Sequence, residues 1–185
     1  MERIELRRLQ QQIGLTTVYV THDQSEALAM SDLIAVMELG RIAQMDEPRA
    51  IYFRPANEFV ASFIGAANLV RGVCVSSVAA GTVGAVRLED GVSIRCVFPS
   101  GGAEGRAVTV SLRPESMTIA TAADPMAPDM NVLDGIVTAG SFLGGSARYD
   151  VQAGPRILRV SAPAEVAIPN GSPVWLTSSS HYGQW

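Results

Sequence analysis

The chain changes character once, at Ala66-Ala67-Asn68, and this change constrains its fold more than any motif does. Before it, helical periods alternate with short apolar runs. After it no helical period recurs, and short β-rich runs are separated by Gly, Pro and Ser at close spacing. The first pattern predicts an α/β segment over residues 1–65. The second predicts an all-β small barrel or sandwich over 66–185. At 185 residues, 48% of them apolar, the chain has enough material to bury a core.

Within the first segment, Leu6, Leu9 and Ile13 share one face of a predicted helix over Glu2–Ile13, with Gly14 as its stop. Thr16–Val20 is dense in β-branched and aromatic residues and predicts a buried strand. Asp23 predicts the N-cap of the next helix, with Glu26 three residues on as reciprocal partner. Leu33–Met37 and Arg41–Met45 predict two strands around the turn Glu38-Leu39-Gly40. Pro48 opens a short helix. Asn57 caps another, with Phe59, Val60, Phe63 and Ile64 as its apolar stripe and Gly65 as its stop.

The second segment predicts nine strands: Leu69–Val78, Thr82–Leu88, Val92–Phe98, Ala107–Leu112, Ser116–Ala120, Val132–Ala139, Ala147–Gln152, Arg156–Ser161 and Val174–Ser179. Gly81, Asp90-Gly91, Gly101-Gly102, Gly144-Gly145 and Asn170-Gly171 supply turns. Ala123–Met130, with Pro125 and Pro128, predicts a loop. His181-Tyr182-Gly183-Gln184-Trp185 either covers a barrel end or trails as an unordered terminus.

Composition narrows the function classes. A net charge of −4 gives no electrostatic case for nucleic acid. No apolar run approaches the ~18 residues of a membrane span. The start Met1-Glu2-Arg3-Ile4-Glu5 is charged and helical in character, unlike a signal peptide. Cys74 and Cys96 lack metal-site spacing and read as buried hydrophobes; no metal ligand set is predicted. Arg113-Pro114-Glu115 reads as a turn with an ion pair rather than a ligand contact. Arg148, Arg156 and Arg159 read as a solvated face rather than an anion site. All fourteen cationic side chains are arginine; there is no lysine.

The stretch with chemical character is Thr21-His22-Asp23-Gln24-Ser25-Glu26-Ala27, following Val18-Tyr19-Val20. A neutral imidazole held at a strand end can donate to a phosphate oxygen on one side and accept on the other. A lone histidine is more often a cap or surface residue, and here the ordered matches around it reverse that preference. The stretch resembles the H-loop of the ATP-binding subunits of ABC importers. Met30-Ser31-Asp32, Val36-Met37, Gly40-Arg41-Ile42, Pro48, Ile51-Tyr52, Pro55 and Phe59 through Gly65 are similar to that family's last segments in order. Leu112-Arg113-Pro114-Glu115, Phe142-Leu143-Gly144 and Arg148-Tyr149-Asp150-Val151 resemble the transport-associated OB-fold (TOBE) domain that follows. Asp46 departs from the family's usual glycine at a turn.

The resemblance implies that residues 1–65 are the end of a P-loop nucleotide-binding domain and that 66–185 are a TOBE-type regulatory domain. It implies that His22 is the γ-phosphate switch of the longer parent; Asp23 and Glu26 read as helix caps from their spacing. ATP and Mg²⁺ are the parent's cofactors, and none is expected for this chain alone. Phosphate binding needs a G-x-x-x-x-G-K-[ST] loop, which a chain without lysine lacks, and arginine is not an equivalent point charge. The signature segment and the Asp-Glu strand end are absent too; Leu143-Gly144-Gly145-Ser146 reads as a turn. The chain thus reads as the C-terminal piece of a longer subunit and is expected not to hydrolyse ATP by itself. Expected partners are a second copy and the transmembrane permease of an importer for a polyamine, ferric iron or a similar solute. The expected location is the cytoplasmic face of the membrane. The rivals are a non-enzymatic, ligand-sensing dimeric module and, ranked last, a phosphotransfer or metal protein using His22 and Asp23.

Overall fold

The computed structural model describes residues 3–122 and 130–179. Of the loop predicted over Ala123–Met130, residues 123–129 lie outside the described residues and Met130 opens a strand; the aromatic terminus at 181–185 also lies outside them. The chain divides into two compact units, Met1–Gly65 and Ala66–Trp185.

In the first unit, helix α1 (Arg3–Ile13) stops at Gly14, whose φ of +69° ends the helical path. Helix α2 (Gln24–Met30) follows. The Arg7 guanidinium ties the two helices, donating to Met30 O and pairing with Asp32 at 2.7 Å. Strands β1 (Ile34–Glu38) and β2 (Arg41–Asp46) form an antiparallel hairpin. Its two-residue turn, Leu39-Gly40, has φ of +48° and +78°, the turn whose twist matches that of the flanking strands. Leucine is an unusual occupant of a left-handed position, and here its side chain stands fully in solvent. Helix α3 (Pro48–Phe53) carries proline in its first turn, and α4 (Glu58–Phe63) is capped by Asn57 Oδ1 accepting Val60 N–H at 2.9 Å. Ile34, Val36, Ile51, Val60 and Ile64 form the buried core of this unit.

The buried strand predicted over Thr16–Val20 does not form. Those residues pair with no strand, and Val18 and Val20 are 89% and 91% exposed. The reason is physical: a strand satisfies its backbone only through a neighbour, and β1 and β2 pair only with each other. The apolar face of α1, with Leu6, Leu9 and Ile13, is likewise open to solvent.

The second unit is all-β, and all nine predicted runs appear in it. β3 (Asn68–Cys74), β4 (Thr82–Leu88), β5 (Ser93–Phe98) and β6 (Ala107–Leu112) make one antiparallel sheet in the order β5-β4-β3-β6. β7 (Met117–Ala120), β8 (Met130–Phe142), β9 (Ser146–Ala153), β10 (Arg156–Pro163) and β11 (Pro173–Ser179) make a second, in the order β10-β9-β8-β11-β7. Alternate residues of both sheets meet in one core that includes Val86, Ile94, Phe98, Val110, Val137, Val151, Leu158 and Leu176. Gly84 is required there, because a Cβ would lie 2.9 Å from the Phe98 ring and closer still to Val78.

Two asparagines close the sheets on each other. Asn131 of β8 donates to Arg95 O (2.8 Å) and accepts Arg95 N–H (2.6 Å) on edge strand β5. Asn68 of β3 makes the same pair of bonds to the backbone of Arg159 on edge strand β10, at 2.8 and 2.7 Å. Each carboxamide thus stands in for the peptide group of an absent strand. Asn131 is buried. Asn131→Ala should therefore destabilise the β unit by about 2 kcal/mol, because it strands a backbone donor and acceptor. Urea unfolding followed by Trp fluorescence checks this, and a loss below a few tenths of a kcal/mol would contradict it.

Candidate functional site

His22 lies in the turn that leads from the extended segment into α2, and its imidazole is exposed. Among the described residues no hydrogen bond to it is present. The backbone around it is well tied. Asp23 is the N-cap of α2, its Oδ1 accepting Glu26 N–H at 3.1 Å. Ser25 Oγ donates to the same oxygen at 2.5 Å. Asp23 N–H donates to Thr21 Oγ1 at 2.9 Å. The Glu26 carboxylate receives Thr21 Oγ1 at 3.1 Å and Tyr19 Oη at 3.0 Å. Gln24 Oε1 accepts Gly65 N–H at 3.0 Å, joining the helix start to the end of the unit.

The cap predicted at Asp23 is present. The use of Glu26 was not foreseen: its carboxylate gathers hydroxyls from the extended segment that precedes the helix. A signal was available in the spacing, since Tyr19 and Thr21 fall on one side of an extended chain. The tip offers one imidazole, and the chain has no lysine and no glycine-rich phosphate loop. Among the described residues no cluster of three or more His, Cys, Asp or Glu is placed to hold a metal. Among the described residues no helix is long and apolar enough to cross a membrane.

The arginines separate. Arg156 forms a 2.7 Å ion pair with Asp90, and Arg159 a looser one at 3.4 Å with Asp150. Arg148 stands in solvent. Arg113 is the surprise: it is 4% exposed, and burial pushes its guanidinium down to about 10. It directly follows β6, whose last five residues are all buried, and it precedes the short turn Pro114–Ser116 that was expected there. Both cysteines are buried and form no disulfide, and burial, with Cys74 nearby, pushes the Cys96 thiol up to about 12.

Within the β unit, residues 110–181 match the model of the TOBE domain family. The chain is related in sequence to the C-terminal part of ABC-transporter ATP-binding subunits of the polyamine and ferric-iron importer type. It is 41% identical over 153 residues to the spermidine/putrescine import ATP-binding protein of Rubrobacter xylanophilus, covering 82% of this chain and 38% of that protein. It is 42% identical over 150 residues to the Fe(3+) ions import ATP-binding protein of Rhizobium etli, covering 81% and 39%. It is 41% identical over 132 residues to the sn-glycerol-3-phosphate import ATP-binding protein of Chromohalobacter salexigens, covering 70% and 33%. The chain thus spans between a third and two-fifths of the length of these relatives. In fold, the cytoplasmic molybdate-binding protein ModG with molybdate bound superposes with a TM-score of 0.54 at 14% identity, over 62% of this chain and 92% of that one. That likeness is one of fold and supports the OB-like reading of the β unit.

The Asp90–Arg156 pair gives the β unit a pH signature. The Arg156 hydrogen bond holds the Asp90 carboxyl below its ordinary value, against the opposing effect of burial. A depressed folded-state pKa adds stability above the unfolded value of 3.8, and that increment is lost as pH falls through the lower folded value. The stability difference between the native chain and Asp90→Asn should be constant at neutral pH and shrink below about pH 4. Urea titrations at stepped pH check this; a difference that grows on acidification would contradict it.

Proposed function

We propose that this chain is the C-terminal part of the ATP-binding subunit of an importer, in which ATP binding and hydrolysis drive uptake of a polyamine, ferric iron or a similar small solute. The observation that carries the proposal is the identity of about two-fifths to two such subunits across four-fifths of the chain. The exposed His22, at a hydrogen-bonded tip between the extended segment and α2, supports it. Residues 1–65 serve as the last part of the nucleotide-binding domain, and 66–185 as its regulatory β domain. His22 reads the γ-phosphate of ATP, with Mg²⁺, once the phosphate loop of the full subunit is in place. The subunit works as a pair, on the cytoplasmic face of a membrane-embedded permease. The open faces of α1 and of Val18 and Val20 fit a surface that the rest of such a domain covers. Nothing specific favours the ligand-sensing rival, whose support is fold likeness alone.

The chain by itself is inactive in this proposal, because positioning and charge neutralisation supply nearly all the catalysis of phosphoryl transfer and this sequence lacks the groups that provide them. Calorimetric titration with Mg²⁺-ATP should show no micromolar binding and no turnover. In a full-length subunit with these residues, His22→Ala should lower ATPase kcat by at least ~10²-fold, on the scale of losing one positioned donor to developing charge. A near-native kcat in that variant would remove His22 from the role.

A further inference from the structure

We propose that Glu26 is the positioning residue of the His22 tip, fixing the backbone on both sides of that histidine through Tyr19, Thr21 and Asp23. The inference rests on the reading of His22 as the working residue, although the ordering itself is measured without nucleotide.

The geometry is a closed brace. His22 is flanked by Thr21 and Asp23, and one hydroxyl spans it: Thr21 Oγ1 donates to Glu26 Oε2 and accepts Asp23 N–H. Tyr19 Oη reaches the same carboxylate oxygen. Asp23 Oδ1 completes the circuit by accepting Glu26 N–H. Two hydroxyls on one ionised oxygen are charge-assisted bonds, stronger than neutral ones. The Tyr19 phenol is raised above its ordinary value first by its bond to Glu26 and then by that carboxylate's charge, with Asp23 adding to the rise and Thr21 opposing it. In an extended chain Tyr19 and Thr21 face Glu26, while Val18 and Val20 point away, as their exposure records. The brace leaves the His22 ring outside it and open to solvent. A helix-cap role for Glu26 does not account for these contacts, since the cap is made by Asp23.

The test is ¹⁵N relaxation and phenol titration on the full chain, comparing Glu26→Ala, Glu26→Gln, Asp23→Ala and Thr21→Val. In the native chain the amides of Thr21, His22 and Asp23 should have order parameters near the rigid ~0.85, falling below ~0.6 in Glu26→Ala. The Tyr19 phenol should titrate lower in that variant. Thr21→Val should mobilise His22 and Asp23 in the same way. Glu26→Gln keeps an acceptor and should retain most of the order. Asp23→Ala should chiefly fray the first turn of α2. A tip that stays rigid in Glu26→Ala, or one that is already mobile in the native chain, overturns the proposal. So does a Glu26→Ala pattern identical to that of Asp23→Ala, which would reduce Glu26 to a capping role. Failure of the nucleotide reading would show instead in the His22→Ala kinetics and would leave these measurements unchanged.

Discussion

The β unit depends on two side-chain amides imitating backbone. A two-sheet stack has edge strands whose outward N–H and C=O groups lack a ladder. Here β5 and β10 are such edges, and Asn131 and Asn68 each cross from the opposite sheet to exchange two hydrogen bonds with one residue of that edge. The arrangement is reciprocal, each sheet lending one asparagine to the other's edge. It turns two stacked sheets into a closed, barrel-like body around a single core. Tyr149 secures the connection between β10 and β11 in a similar way, its hydroxyl donating to Val166 O at 2.6 Å and accepting Ile168 N–H at 3.1 Å. Gly140 leaves room for that ring, since a Cβ there would lie 3.0 Å from it.

The first unit follows a different economy. Its buried core is small, and much of its apolar surface faces outward, from Leu6 and Leu9 through Val18 and Val20 to Met37 and Met45. What holds it locally is polar: the Arg7 clasp on the end of α2, the Asp23 and Asn57 caps, and the Gln44 side chain, which donates to Arg54 O and accepts Ala56 N–H. Caps and clasps act locally, and they hold the segment while its apolar faces stay open to solvent. This is how the His22 tip is hydrogen-bonded on both flanks next to a run of β-branched residues that belongs to no sheet.

Much of this was legible beforehand. Strand runs in the β unit were marked by glycine turns, and helix starts by Asp23, Pro48 and Asn57, because these signals act within three or four residues. Thr16–Val20 misled because its composition reports preference for a strand, while a strand exists only with a neighbour. Arg113 read only as part of a turn, and its burial follows from the path of β6. Asn68 and Asn131 carried no local signal, since a loop asparagine and a strand-closing asparagine look alike in a sequence.

The sequence by itself determined the resemblance to importer ATP-binding subunits, the division near Ala66 and most of the elements. Each rests on short-range periodicity, turn chemistry or ordered motif matches. Only the tertiary structure decided that Thr16–Val20 is an unpaired extended segment, that Arg113 is buried, and that asparagines close the sheets. It also placed the hydroxyls of Tyr19 and Thr21 on the Glu26 carboxylate. Those facts depend on which groups meet across dozens of residues, and hydrogen-bond satisfaction between distant backbones leaves no trace in local composition.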